Sequence, residues 1–115
     1  KFMLLIYGEE AAAARATDGE RQAEAAAYEE FTQSIRASGN YLDGDPFLPT
    51  SAARTVQLRG GEAKSTDGPA VNSAPQLLAY YKVEAETAEQ AVEMASRIPG
   101  ARFGSIEVRP VMQFD

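Results

Sequence analysis

The side chains best placed by type and spacing to do chemistry are two carboxylates, two arginines and three tyrosines. Asp67 opens an Asp67-Gly68-Pro69 turn, where a carboxylate could act as a general base or anchor a ligand at the mouth of a cleft. A base working near neutral pH needs its pKa raised by burial or a like charge. The simpler reading of Asp67 is an Asx-turn residue bonding the backbone ahead of Gly68-Pro69. Glu107 and Arg109 stand two apart in an alternating segment, so they share one strand face, opposite Ile106 and Val108. Together they could line a polar pocket in which Arg109 holds a carboxylate in bidentate fashion. The plainer alternative is a structural ion pair at an interface or an exposed edge. Tyr7, Tyr80 and Tyr81 could offer hydroxyls to a cleft, although a buried tyrosine ordinarily packs its ring and satisfies its own hydroxyl. Arg102 either binds an anion or caps the turn before it.

Other chemistries are excluded or unsupported. The chain has no histidine and no cysteine. It therefore cannot build a Ser-His-Asp triad, a thiolate nucleophile or a disulfide framework. A zinc site would rest on carboxylates alone, which zinc sites rarely do. Asp43-Gly44-Asp45 invites a calcium reading but fails the loop pattern, since the twelfth position from Asp43 is Arg54 rather than glutamate. Turn chemistry explains it better. Gly60-Gly61 stands alone, without a phosphate-loop or dinucleotide fingerprint. No pattern calls for a metal or a cofactor. With 17 acidic and 11 basic residues the net charge is −6, and no Lys/Arg cluster is present, which argues against nucleic acid. The longest apolar run, Phe2 to Tyr7, is far short of a membrane span, and no signal-peptide pattern precedes it. A cytoplasmic location is the expectation.

The 115 residues suit one domain, spanning 1–115. Phe2 to Tyr7, apolar throughout, reads as a strand buried on both faces. Ala11 to Ala14 reads as a helical turn. Thr17 and Glu20 have capping-box spacing, and the helix they open is expected to run to about Ser38, with Gly39 as its stop. Its apolar stripe is Ala23, Ala27, Tyr28, Phe31 and Ile35. Tyr41 to Leu48, broken by Asp43-Gly44-Asp45-Pro46, reads as an edge strand or an ordered loop. Arg54 to Arg59 alternates, as expected of a strand with one wet face. Gly60-Gly61 turns it into a return strand, Glu62 to Thr66. Leu77 to Ala85 is the next strand, with Leu77, Ala79, Tyr81 and Val83 on one face. Thr87 and Gln90 repeat the capping-box spacing before a second helix with Ala88, Ala91, Val92, Ala95 and Ile98 on its stripe. Pro99-Gly100 ends it, and Ser105 to Phe114 is the last strand.

This order suggests an α+β, ferredoxin-like split βαβ protomer with a mainly antiparallel sheet and two helices on one face. Two helices cannot cover both faces of a sheet. Strands that are apolar on both sides therefore call for a second copy, and a homodimer with sheets face to face is expected.

Lys1 to Tyr7, Thr66-Asp67-Gly68-Pro69, Tyr80-Tyr81 and the run from Ala101 to Val111, with its Glu107-Val108-Arg109-Pro110-Val111 ending, resemble the YCII-related family in its DGPF-type branch over essentially the whole chain. The resemblance implies a dimeric α+β barrel and little about activity. Most members have no assigned reaction. A catalytic role has been suggested by analogy with small isomerases, and some members occur alongside extracytoplasmic-function sigma factors. Family members usually follow Asp-Gly-Pro with Phe and an acidic run, whereas this chain has Ala70-Val71-Asn72-Ser73-Ala74-Pro75. The His-Asp pair of some members has no counterpart here.

Three functions are compatible with these residues. The first is a small-molecule binding module with Asp67, Glu107, Arg109 and Tyr81 at a site between sheet and helices or at a dimer cleft. The second is a cofactor-free isomerase or lyase, with Asp67 moving a proton and Arg109 stabilising an oxyanion. The third is a protein-interaction adaptor linked to transcription regulation.

Overall fold

A computed structural model describes residues 1–114. The chain opens with β1 (Phe2–Gly8), a one-turn α1 (Glu10–Ala14) and the long α2 (Asp18–Ala37). β2 (Tyr41–Pro46), a 3-10 turn at Thr50–Ala52, β3 (Arg54–Arg59) and β4 (Glu62–Asp67) follow. The last third holds β5 (Gln76–Val83), α3 (Ala88–Ser96), a 3-10 turn at Pro99–Arg102 and β6 (Ser105–Pro110). Four strands form one sheet in the order β2-β5-β1-β6, every neighbouring pair antiparallel. That is the split βαβ arrangement, with the β3–β4 hairpin inserted between its second and third strands as a separate two-stranded sheet.

The helices start where the sequence says they should. Thr17 Oγ1 accepts from the Glu20 amide at 3.1 Å and Glu20 Oε1 accepts from the Thr17 amide at 2.8 Å, a complete capping box. Thr17→Ala should cost about 1 kcal/mol, read as a lower urea midpoint at unchanged slope. At α3 the box is half formed. Thr87 accepts from the Gln90 amide, but the Gln90 side chain accepts from the Glu86 amide instead of reaching Thr87.

The core lies between α2, α3 and one face of the sheet. Leu4 and Ile6 of β1 and Tyr81 and Val83 of β5 meet Phe31 and Ile35 of α2 and Ala91, Met94, Ala95 and Ile98 at α3. Ile106 and Val108 of β6 pack on the rim. Several expectations are corrected. Ala23 and Ala27 are exposed, because only the second half of α2 crosses the sheet. Val92 is 54% exposed and Met94 takes its place, since positions 91, 94, 95 and 98 follow the helical spacing. β6 ends at Pro110, opposite Phe2 at the start of β1, and one last bond from the Val111 amide to the Lys1 carbonyl uses up the partner strand, so Met112 and Phe114 lie exposed beyond it. β5 stops at Val83, where Asn40 takes over, accepting from the Glu84 amide and donating to the Glu84 carbonyl.

The hairpin departs most from expectation. β4 runs one residue further, to Asp67, and pairs with β3 over its full length without joining the main sheet. In place of one wet face it has two, with Val56 and Leu58 each 66% exposed. The radius of gyration is 16.1 Å, against about 13 Å for a compact chain of this length. The molecule is a plate of 48 × 47 × 17 Å, from which the hairpin extends as an arm.

Candidate functional site

Side chains alternate between faces along each strand, so Leu4, Ile6, Tyr81 and Val83 facing the helices puts their neighbours on the other side. Strand register then assembles two rows across that open face. One runs Asp43, Lys82, Met3, Arg109; the next runs Asp45, Tyr80, Leu5, Glu107. Tyr7 continues the β1 column beside Ser105. The result is a strip of Met3 and Leu5 with charged and hydrogen-bonding side chains on both flanks. Met3, Leu5, Tyr7, Tyr80 and Lys82 are half-buried within the single chain.

Each flank is already organised. The Tyr80 hydroxyl lies 3.1 Å from Asp43 Oδ2 and 3.3 Å from Asp45 Oδ2 and donates to this carboxylate pair. The hydrogen bond to Asp43, followed by desolvation and the two negative charges, pushes the Tyr80 pKa up to about 12. Phe47 stacks on the Tyr80 ring with centroids 5.8 Å apart. On the opposite flank Arg109 Nε donates to Glu107 Oε2 at 2.7 Å, and a terminal guanidinium nitrogen touches the same oxygen. The pair is solvent-accessible, so it adds little stability. Its effect is to fix where the guanidinium stands. Next to Phe47, a groove of about 520 Å³ lies between Ala13, Ala14, Leu48, Pro49 and Leu78. Glu10 lines it and accepts from both the amide and the hydroxyl of Thr50 at 2.8 and 2.6 Å. The hydroxyl bond, then the amide bond, holds the Glu10 carboxyl below the usual carboxylate range.

The residues singled out from the sequence fall in different places. Glu107, Arg109 and Tyr7 are together on the open face. Tyr81 points the other way, into the core. Its hydroxyl is 2.7 Å from Thr32 Oγ1, its ring packs edge-on against Phe31 and Tyr41, and burial raises its pKa. Arg102 is exposed on the Pro99–Arg102 turn, on the helix side. Asp67 is on the arm, 88% exposed and 3.4 Å from Arg54 Nε. Within one chain it therefore belongs to a different sheet from Glu107 and Arg109. Asp43-Gly44-Asp45, read as turn chemistry, lies within strand β2 at the edge of the sheet, as the edge-strand reading of Tyr41 to Leu48 has it, and its two aspartates form the Tyr80 flank. Gly44 is where it is because a Cβ there would come within 2.7 Å of the Tyr81 ring. Among the described residues no group of three or more carboxylates is arranged to hold a metal ion, and no helix is long and apolar enough to cross a membrane.

Two tyrosines make a pH prediction. Burial pushes the Tyr28 hydroxyl, which accepts from the Gly100 amide at 3.1 Å, up to about 12, and Tyr80 is also at about 12. Unfolded tyrosines ionise near pH 10, so over this range the folded chain keeps protons that the unfolded chain releases. Their contribution is complete below pH 10 and is lost as pH rises towards 12. The melting temperature should fall across that window, and Tyr28→Phe should make the fall shallower.

An uncharacterised protein of Rhizobium meliloti (strain 1021) is 35% identical over 66 residues, covering 56% of this chain. The match spans about half the length of that relative, 53%. The YCII-related domain model matches residues 1–115. With that match running from end to end, the chain belongs to the YCII-related family.

Proposed function

We propose that this member is a small-molecule binding module whose site is the open sheet face, roofed by a second copy of the chain. The observation that carries the proposal is the strip of Met3 and Leu5, held between Lys82 and Arg109 in one row and Tyr80 and Glu107 in the next. Mixed apolar and convergent polar lining is what small-ligand sites use. A face with an exposed apolar strip is not left open at no cost, and a second copy is the simplest cover. The ligand that fits is a small organic acid with an apolar body. The body lies on Met3 and Leu5, and the acid group reaches the guanidinium, which recognises carboxylates in bidentate fashion. Within the family we place the chain in the DGPF-type branch, on Thr66-Asp67-Gly68-Pro69 and the Glu107–Val111 ending. It would work as a homodimer in a bacterial cytoplasm, with neither nucleic acid nor membrane as partner.

Anilinonaphthalene sulfonate, an apolar body with one anionic group, serves as the probe. It should bind the wild-type chain, be displaced by small carboxylic acids, and bind the Lys82→Met, Arg109→Met variant at least about tenfold more weakly, the equivalent of roughly 1.4 kcal/mol. Equal affinity in the two proteins would remove the open face as the site.

A further inference from the structure

The arm and the groove beside Phe47 are complementary, and neither is satisfied within its own chain. On one face of the arm, alternation and register place Val56, Leu58 and Ala63 at the tip, with the Arg54–Asp67 pair nearer the root. An isolated two-stranded hairpin is marginally stable in water, so an exposed apolar face on one marks a missing partner. The groove is apolar along Ala13, Ala14, Phe47, Leu48 and Leu78, with Leu48 80% exposed.

The arm cannot fill its own groove. Thr50 and Ser51 in the groove wall lead within a few residues into β3, and β3 pairs with β4 without a break from Arg54 to Arg59. At about 3.3 Å per residue, Leu58 is carried roughly 13 Å from the root. Folding it back would break the ladder.

Charge indicates what does fill it. The arm, residues 54–67, holds three basic and two acidic residues, net +1 in a chain of net −6, which leaves −7 on the rest. Arg59 and Lys64 stand towards the arm's tip on the face opposite Val56 and Leu58, where they add to the arm's overall positive charge without entering the groove, and Glu10, held ionised by Thr50, lines the groove. The body of a second copy is thus an acidic surface with an apolar slot, matched to a basic arm with an apolar tip.

We infer that the two copies exchange arms, the Val56–Leu58 face of each seating in the Phe47–Leu48 groove of the other. A two-fold axis makes the exchange reciprocal and closes the assembly at two chains. The exchange encloses Arg54 and Asp67 between the copies and brings them from solvent to the rim of the roofed face. It extends the roofed-face reading and rests on it.

The chain contains no cysteine, so paired substitutions give a clean test. Leu48→Cys and Leu58→Cys proteins, mixed and oxidised at micromolar concentration, should form a disulfide joining the two substituted positions, identified by its linked peptide. Docking raises the effective concentration of the thiols, so this should form at least about tenfold faster than with Gln57→Cys, on the arm's other face, as partner. The double variant L48C/L58C should cross-link between chains. Equal rates for the two arm positions, or a disulfide within one chain, would overturn the exchange. Light scattering on the same samples separates the two proposals. A single-chain mass removes the roofed face and the exchange together, whereas a two-chain mass with equal rates removes the exchange alone.

Discussion

Gly104→Ala should lose about 3 kcal/mol of stability or more, beyond the usual cost of overpacking a core. A Cβ on Gly104 would lie 2.0 Å from the Tyr7 carbonyl oxygen and 3.1 Å from its carbon. Both obstacles are backbone, so no side chain can turn aside to make room. The chain enters β6 here directly from the Pro99–Arg102 turn, with the Gly104 amide donating to the Gly100 carbonyl at 2.8 Å. Ser105 pairs with Tyr7 at once. To admit a methyl group, β6 must move off β1 where Tyr7 belongs to the open face. The predicted loss is a large part of the roughly 5–15 kcal/mol that holds a domain together. It would appear in urea titration, with faster amide exchange at Tyr7 and Ser105. A variant within about 0.5 kcal/mol of wild type, the range of an ordinary surface change, would mean that this crossing is not as close as it stands.

Leu4→Ala should cost about 2–5 kcal/mol, the range for truncating a buried leucine that leaves a cavity. Leu4 is completely buried beneath the helices, so the loss belongs to the single chain and does not depend on protein concentration. Its neighbour Leu5 lies on the other side of the same strand, opposite Tyr80 and Glu107. Leu5→Ala should change the stability of the isolated chain much less, and its main effect should be to loosen the pairing of two copies. Stability should then depend on concentration. Urea midpoints for both variants at two protein concentrations distinguish the faces. Equal, concentration-independent losses would mean that Leu5 contributes to nothing beyond its own chain.

Much of this architecture is legible in the order of residues. The strand at β1, the Thr17–Glu20 box and the alternation of Ile106 and Val108 with Glu107 and Arg109 each use local rules, and each holds in the fold, with Leu4 and Ile6 buried on one face of β1. What local rules miss is set by distant partners. Asp43-Gly44-Asp45 has the composition of a turn, yet it is a strand because β5 supplies its hydrogen-bonding partner and Gly44 lets the Tyr81 ring approach. Tyr80 and Tyr81 are adjacent in sequence, and alternation separates them, Tyr81 with Val83 and Tyr80 with Lys82. Both were candidates for the site, and packing of the Val83 face against the helices takes Tyr81 into the core and leaves Tyr80 on the open face. The detachment of β3–β4 is equally silent, because the alternation of Arg54 to Arg59 is the same whether a strand joins a sheet or extends away from it. Asp67 was legible as a turn-proximal carboxylate, but its separation from Glu107 and Arg109 within one chain follows from that detachment.

The open face of the sheet, greasy along Met3 and Leu5 and bordered by charge, is the feature on which the functional reading turns. Sedimentation equilibrium of the wild-type chain at micromolar concentration addresses it most directly. A cover supplied by a second copy predicts a particle of twice the 12.4 kDa chain mass. A particle of 12.4 kDa, unchanged as concentration rises, would contradict it.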